Sequence, residues 1–156
     1  MPSPHRRVRR NRRGEYLINL PPDERELLRS LPGQLVELLS DPSSPDLRRI
    51  FPPAYVEDDQ AEREYRRLME EELTTRHRVA LETMAATVDA SRLDQDQMAA
   101  WASALNDLRL VLGTRLDVSE DMQPPDPDDP RAPAHALYGY LSWLQEQVVE
   151  ALAAGL

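Results

Sequence analysis

"LDQDQMAAWASALNDLRLVLGTRLDV", residues Leu93 to Val118, decides the fold. Met98, Trp101, Leu105, Leu108 and Leu112 recur at spacings of three and four, the period of one buried helix face. Asp94 followed by Gln97 resembles a capping box with Asp in the Ser/Thr position, and it marks the helix start. A helix with such a stripe is stable only when other elements cover it, so its partners must lie on either side in the chain.

Upstream, Asp58 to Val88 reads as one long helix or two nearly joined. Tyr65, Leu68, Met69, Leu73, Val79, Leu81, Met84, Ala85 and Val88 are its expected buried face. That stripe is irregular around Thr74 to His77, where a bend is expected. Glu62–Arg66, Arg66–Glu70, Arg67–Glu71 and Arg78–Glu82 sit four apart and support the exposed face. Earlier still, "LPPDERELLRSLPGQLVELLSD" opens on two prolines and acids suited to a helix N-terminus. Leu27, Leu28, Leu31, Leu35, Leu38 and Leu39 form an apolar stripe there. Pro32 predicts a break or kink, with a second short helix to about Ser40. "DLRRIFPPAY" reads as a short helix or turn closed by Pro52 and Pro53. Downstream, "SEDMQPPDPDDPRAP" predicts a mobile acidic loop over 117–132. Pro133 then opens a last helix that buries Leu137, Tyr140, Leu141, Leu144, Val148 and Leu152.

At the front, "HRRVRRNRRGEYLINL" puts six arginines into eight positions, Arg6 to Arg13. Arg7–Arg10 and Glu15–Leu20 alternate like strands around the turn residues Asn11 and Gly14, which predicts a hairpin. Two strands alone are marginal, so the hairpin must pack on helices or pair with another chain. Met1 to His5 are expected to be disordered. The fold class that follows is mainly α: a single-domain helical bundle of four to five helices with a small N-terminal β-hairpin or strand. Residues 1–13 form a basic, partly disordered arm in this reading, and 14–156 the helical domain.

Composition narrows the chemistry. The chain has 156 residues, enough for one domain with a core, and few aromatics, so that core is mainly aliphatic. There is no cysteine, which excludes disulfides, thiol catalysis and cysteine-ligated metals. There is no lysine either, which excludes Schiff-base and P-loop lysine chemistry. No apolar run approaches a membrane span, and no apolar signal core follows the basic N-terminus, so a cytoplasmic protein is expected. The net charge of −9 conceals an asymmetry. Residues 1–13 carry six Arg and no acid, and the other thirteen Arg and 28 acids leave −15 for residues 14–156. A body that acidic repels phosphate backbones, so any nucleic-acid contact must come through a local arginine patch.

The arginine cluster has two readings. Arg6, Arg7, Arg9, Arg10, Arg12 and Arg13 are candidate phosphate contacts. Alternatively, they pair with the acidic body as the outer face of the hairpin, where arginines also discourage edge-to-edge aggregation. "ELLRSLPGQLVELL" has the outline of a helix-turn-helix, but its second half carries Gln34 and Glu37 and no arginine, so a kinked core helix is the better reading. His5, His77 and His135 are not spaced as metal ligands, and His77 reads as a boundary residue. No phosphate loop, nucleophile elbow or cofactor motif occurs. Asn106, Arg109 and Gly113 share one helix face, either as a contact surface for a partner or second copy, or as an internal Arg–carboxylate pair packed under a neighbouring helix. Trp101, Trp143 and Tyr140 are read as core before interface.

Taken in order, "INLPPDERELLRSLPGQLVELL", "FPPAY", "EYRRLMEEEL", "LNDLRLVLGTRL" and "LYGYLSWLQEQVVEAL" resemble the actinobacterial family of small proteins of unknown function that includes the mycobacterial oxidative-stress regulator AosR. The resemblance spans nearly the whole chain and lies in the breadth and order of these segments. It implies an actinobacterial source, a link to transcription control, no enzymatic activity and no site motif. A chain without cysteine has no thiolate through which to sense oxidant. The expectation is therefore a non-enzymatic, transcription-associated regulator acting through protein–protein contacts, without a cofactor. Direct DNA binding through the arginines is the alternative, and homodimerisation through the hairpin edge or the Asn106 face is open.

Overall fold

The stretch quoted first forms helix α3, Gln95–Leu116, with its capping box intact: Asp94 accepts from the Gln97 amide and Gln97 accepts from the Asp94 amide. In the computed structural model, which describes residues 6–119 and 121–156, α3 is enclosed on most sides. Met98, Trp101, Ala104 and Leu105 are wholly inaccessible to solvent. The expected disorder of Met1 to His5 lies outside the described residues.

Three other helices surround α3: α1 (Pro22–Leu38), α2 (Asp59–Thr87) and α4 (Ala132–Ala153), with a 3-10 turn at Pro45–Leu47. α2 and α4 pack directly on α3, while α1 packs chiefly on α2. Strands β1 (Val8–Arg10), β2 (Tyr16–Ile18) and β3 (Arg92–Leu93) form an antiparallel sheet in the order β1-β2-β3. Register pairs Val8 with Ile18 and Tyr16 with Leu93, and all four are buried. Arg9, Leu17 and Arg92 align on the opposite, outer face. The hairpin turn closes at Gly14, whose φ of 81° is open to glycine at little cost. The mainly α architecture and the hairpin are as the sequence predicts. The third strand is an addition: two residues between α2 and α3 are too short to show a period.

Two details correct the sequence reading. α1 runs unbroken through Pro32, so no second helix begins there and no helix-turn-helix exists. Pro32 removes one helical amide donor, an interior cost of about 3 kcal/mol. It is nevertheless buried beside Leu28 and Leu35, and that packing offsets part of the loss. On α2, Leu68, Val79 and Ala85 are exposed rather than buried. The true inward line is Leu73, His77, Ala80, Leu81, Met84 and Val88. It is regular once a histidine is admitted to it, so no bend is needed, and α2 is one helix.

Trp101 anchors the α2–α3 contact, its indole N–H donating to the Thr87 hydroxyl at 2.7 Å. Replacing Thr87 with the isosteric Val leaves that buried donor unpaired. Thr87→Val is expected to cost about 1–3 kcal/mol, read from urea denaturation of the purified chain. An unchanged midpoint would show that the hydrogen bond is immaterial to the core.

Candidate functional site

The six N-terminal arginines fall into two groups once strand β1 is in place. Val8 points inward, so its neighbours are carried to set positions along α4. Arg7 and Val8 both donate their backbone N–H to the Gln147 side-chain oxygen, at 2.7 and 3.3 Å. Gln147 is a buried polar residue of α4, and these two bonds satisfy it. Arg6 faces Glu150 at 3.8 Å across an exposed gap. The Arg10 side chain lies against Gly155, just beyond the C-terminal end of α4, where the helix dipole is negative and the last turn has no basic residue of its own.

Arg7 is the most constrained of the six. Its guanidinium forks onto Glu24 of α1, with Nε–Oε1 at 3.1 Å and Nη2–Oε2 at 2.9 Å. Its charge also stacks over the Trp143 ring, 5.4 Å from the centroid. Tyr140 completes the cluster by donating its hydroxyl to Glu24 at 2.7 Å. Three segments of the chain therefore meet at one carboxylate. Burial alone would raise the Glu24 pKa, but the Arg7 fork and the Tyr140 hydroxyl outweigh it and hold the carboxyl below its ordinary value. Burial, reinforced by the bond to Glu24, pushes the Tyr140 phenol well above its ordinary value, so it stays a donor.

Arg9, Arg10, Arg12 and Arg13 are exposed, and none forms an ion pair among the described residues. Arg92 of β3 joins them in space, pairing loosely with Glu15 at 3.6 Å. Together with Asn11, the Arg12, Arg13, Glu15 and Arg92 side chains line a shallow hollow of about 300 Å³. The boundary drawn at 13/14 falls inside the hairpin turn, between two paired strands.

A second ionisable pair lies inside the helices. His77 Nδ1 is 2.6 Å from an Asp107 carboxylate oxygen, and Phe51 meets the imidazole edge-on at 5.4 Å. Asp107 is only 2% exposed. Burial pushes its carboxyl up, and the hydrogen bond and charge of His77 act against that rise. A third hub is Arg25, which donates to the carbonyls of Val88 (2.7 Å) and Ala90 (3.2 Å) at the end of α2, and to those of Ile18 and Leu20. It stands in for the basic residue that the last turn of α2 lacks.

The face of α3 singled out by its glycine turns inward. Arg109 donates to the Asn106 amide oxygen at 2.9 Å rather than to the expected carboxylate, and both are half-buried. Gly113 is buried, and a Cβ there would sit 3.0 Å from the Arg49 guanidinium and 3.1 Å from the Tyr138 ring. The glycine therefore admits α4 and Arg49 within the monomer. Glu24, Gln147, Asp107, His77 and Arg25 were not singled out as site residues. Two have a visible mark: Gln147 and Asp107 are polar residues standing beside apolar stripes. No group of three or more side chains suited to a metal ion occurs among the described residues.

The clasp sets a pH dependence. A carboxyl whose folded pKa is depressed contributes stability fully above the unfolded value, about 4.5, and loses it as pH falls through the folded value. Asp107, held above its unfolded value, works in the opposite sense as pH rises. Glu24→Gln is expected to lower stability by about 2 kcal/mol at pH 7, because a charge-assisted fork between partly buried groups is lost. The deficit should shrink as pH falls below about 4. Urea denaturation at a series of pH values measures it, and a deficit constant with pH would rule out the ionised clasp.

Among curated proteins, the chain is 29% identical to the oxidative stress regulator AosR of Mycobacterium tuberculosis, covering 86% of this chain and 80% of that protein. It is likewise 29% identical, over the same shares, to the AosR of Mycobacterium bovis. It is 33% identical to the putative oxidative stress regulator AosR of Mycobacterium leprae, over 72% of this chain and 60% of that protein. No solved structure matches. The family model described as a domain of unknown function, DUF2017, matches residues 5–152, and the chain therefore belongs to the DUF2017 family.

Proposed function

We propose that this chain is a non-enzymatic regulatory protein of the stress response that acts in transcription control by contacting another protein. Relatives named oxidative stress regulators support the regulatory part of the reading. The observation that carries the contact part is apolar surface. Leu68, Val56, Val79 and Trp143 are large apolar side chains standing at the surface of an acidic body. The two tight ionisable clusters, by contrast, join elements of the fold to one another: Arg7–Glu24–Tyr140 ties β1 to α1 and α4, and His77–Asp107 ties α2 to α3. A cytoplasmic location belongs to this proposal. Among the described residues, no helix is long and apolar enough to cross a membrane.

A second reading rests on Arg9, Arg12 and Arg13, which are exposed and lack carboxylate partners among the described residues. With Arg92 they form a basic patch on the outer side and tip of the hairpin, suited to phosphate. Direct DNA binding would use these side chains and not Arg6 or Arg7. Deleting residues 1–13 is not a clean test, because it removes β1 and buried Val8 with the arginines.

Two measurements decide. Crosslinked capture of the full chain from oxidant-treated cells is expected to return a constant partner from the transcription apparatus, and repeated return of none would overturn the contact reading. Duplex DNA titrated at several salt concentrations against Arg9→Ala/Arg12→Ala/Arg13→Ala is the second measurement. If those arginines bind phosphate, the log–log salt slope should fall by about 0.9 for each contact removed. Equal slopes for both proteins would exclude the patch.

A further inference from the structure

Helix α1 carries two leucine stripes, one buried and the other only partly covered. Leu28, Pro32, Leu35 and Leu39 point into the core. Leu27, Leu31, Gln34 and Leu38, spaced four, three and four apart, line the walls of open hollows instead. The hollows lie between α1 and α4, because α1 packs chiefly on α2 and α4 chiefly on α3. Leu108, Val111 and Leu112 of α3 supply the floor of one of them, about 560 Å³. A neighbouring hollow of similar volume carries Leu27, Tyr140 and Trp143, and Leu137 belongs to both. The result is a trough whose α1 wall runs from Leu27 to Leu38, about 16 Å or three helical turns. A 4-3-4 seam of three leucines and one glutamine has the spacing that one amphipathic helix presents to another.

The rim supplies the charge of the occupant. Asp23 and Glu37 are exposed acids along the α1 wall. Among the described residues that line the trough, the single cation, Arg115, is paired with Asp46 at 3.0 Å. The segment joining α3 to α4 starts beside Arg115 and ends beside Pro133, both trough residues, and it carries Asp121, Asp126, Asp128 and Asp129 against one arginine, Arg131. Resting on the reading of a protein that works by contact, we propose that the trough between α1 and α4 is the docking site for a basic amphipathic helix of a partner protein. The partner helix would lay leucine-like side chains on Leu27, Leu31 and Leu38, with its arginines or lysines toward Asp23, Glu37 and the acidic connection.

The chain contains its own reporter. Trp101 is sealed in the core, whereas Trp143 lines the trough and is 38% exposed, so a change in tryptophan emission on binding comes from Trp143. The probe is an 18-residue helical peptide with leucines at a and d and lysines elsewhere, titrated into the full chain. A matched peptide with glutamates replacing lysines is the control. The basic peptide should saturate with a blue shift of Trp143, and the acidic peptide should give none. Leu27→Arg and Glu37→Arg alter exposed side chains and should each weaken binding at least tenfold while circular dichroism stays unchanged. Binding unaffected by both substitutions, or equal binding of the acidic peptide, overturns the proposal. A photo-crosslinking residue placed at 27, and separately at 68 on α2, separates this failure from that of the broader reading. Crosslinks from 27 to a basic helical segment of another protein support the trough. Crosslinks from 68 alone, or from 27 to a second copy of this chain, overturn the trough and leave a contact protein. Crosslinks from neither position overturn both.

Discussion

Burial of α3 is the constraint on which everything else depends. A 22-residue helix with a wholly inaccessible tryptophan, methionine and leucine cannot stand in water, so three helices and a sheet must be arranged around it. Each fully buried side chain of that size contributes about 1.5–3 kcal/mol. Such burial is non-directional, however, and says that α2 and α4 must cover α3 without saying at what register. Register comes from the polar groups embedded in the seam. Among the described residues, the Trp101 N–H is paired with Thr87 and the Asp107 carboxyl with His77. A slide of α2 by one turn would orphan both groups, at about 1–3 kcal/mol apiece. The two bonds therefore select one packing among several that would bury similar area.

The N-terminal strand follows the same logic at the periphery. β1 is three residues long, and a two-stranded hairpin of that size has little stability of its own. It is held because Gln147 takes two consecutive backbone donors, Glu24 takes the Arg7 fork and Val8 fills the core. Half of the arginine run thus serves the fold. Arg6, Arg7 and Arg10 meet, respectively, a carboxylate, a buried carboxylate cluster and the negative end of α4. Strand alternation alone does not explain this division, because Arg10 shares the inward side with Val8 and reaches the helix end from the margin of the sheet.

What could be read in advance, and what could not, divides along one line. Periodic apolar residues reveal elements: the core face of α3, the capping box at Asp94 and the length of α2 are all visible in spacing. Tertiary compensation is not. Pro32 has the local signature of a helix break, and only its burial beside Leu28 and Leu35 lets α1 continue. Leu68 and Val79 have the composition of core, yet the face is set by His77, whose place in the stripe is hidden because its partner lies 30 residues away. Arg25, with four carbonyl acceptors on two other segments, carries no sequence signature. The site residues suffered most from this, since a charge cluster in a sequence shows its sign but not its partners.

On the proposed reading of a contact protein, the distribution of paired and unpaired charge in a chain with a net charge of −9 bears on which partner it would admit. Glu24 and Asp107 are already committed to internal partners, Arg7 with Tyr140 and His77 respectively, and contribute little to the field outside. The field at distance comes from acids left at the surface, and many of these sit on the α1 wall and the α3–α4 connection. Fields of this kind fall off over about 8 Å at physiological ionic strength, so they steer the approach of a basic partner without fixing its pose. The pose must come from shape, and shape is supplied where α1 shows its second leucine stripe. The exposed arginines of the hairpin tip carry the opposite sign and occupy a separate part of the surface. A partner read by sign alone would therefore be sorted between the two regions before any specific contact forms.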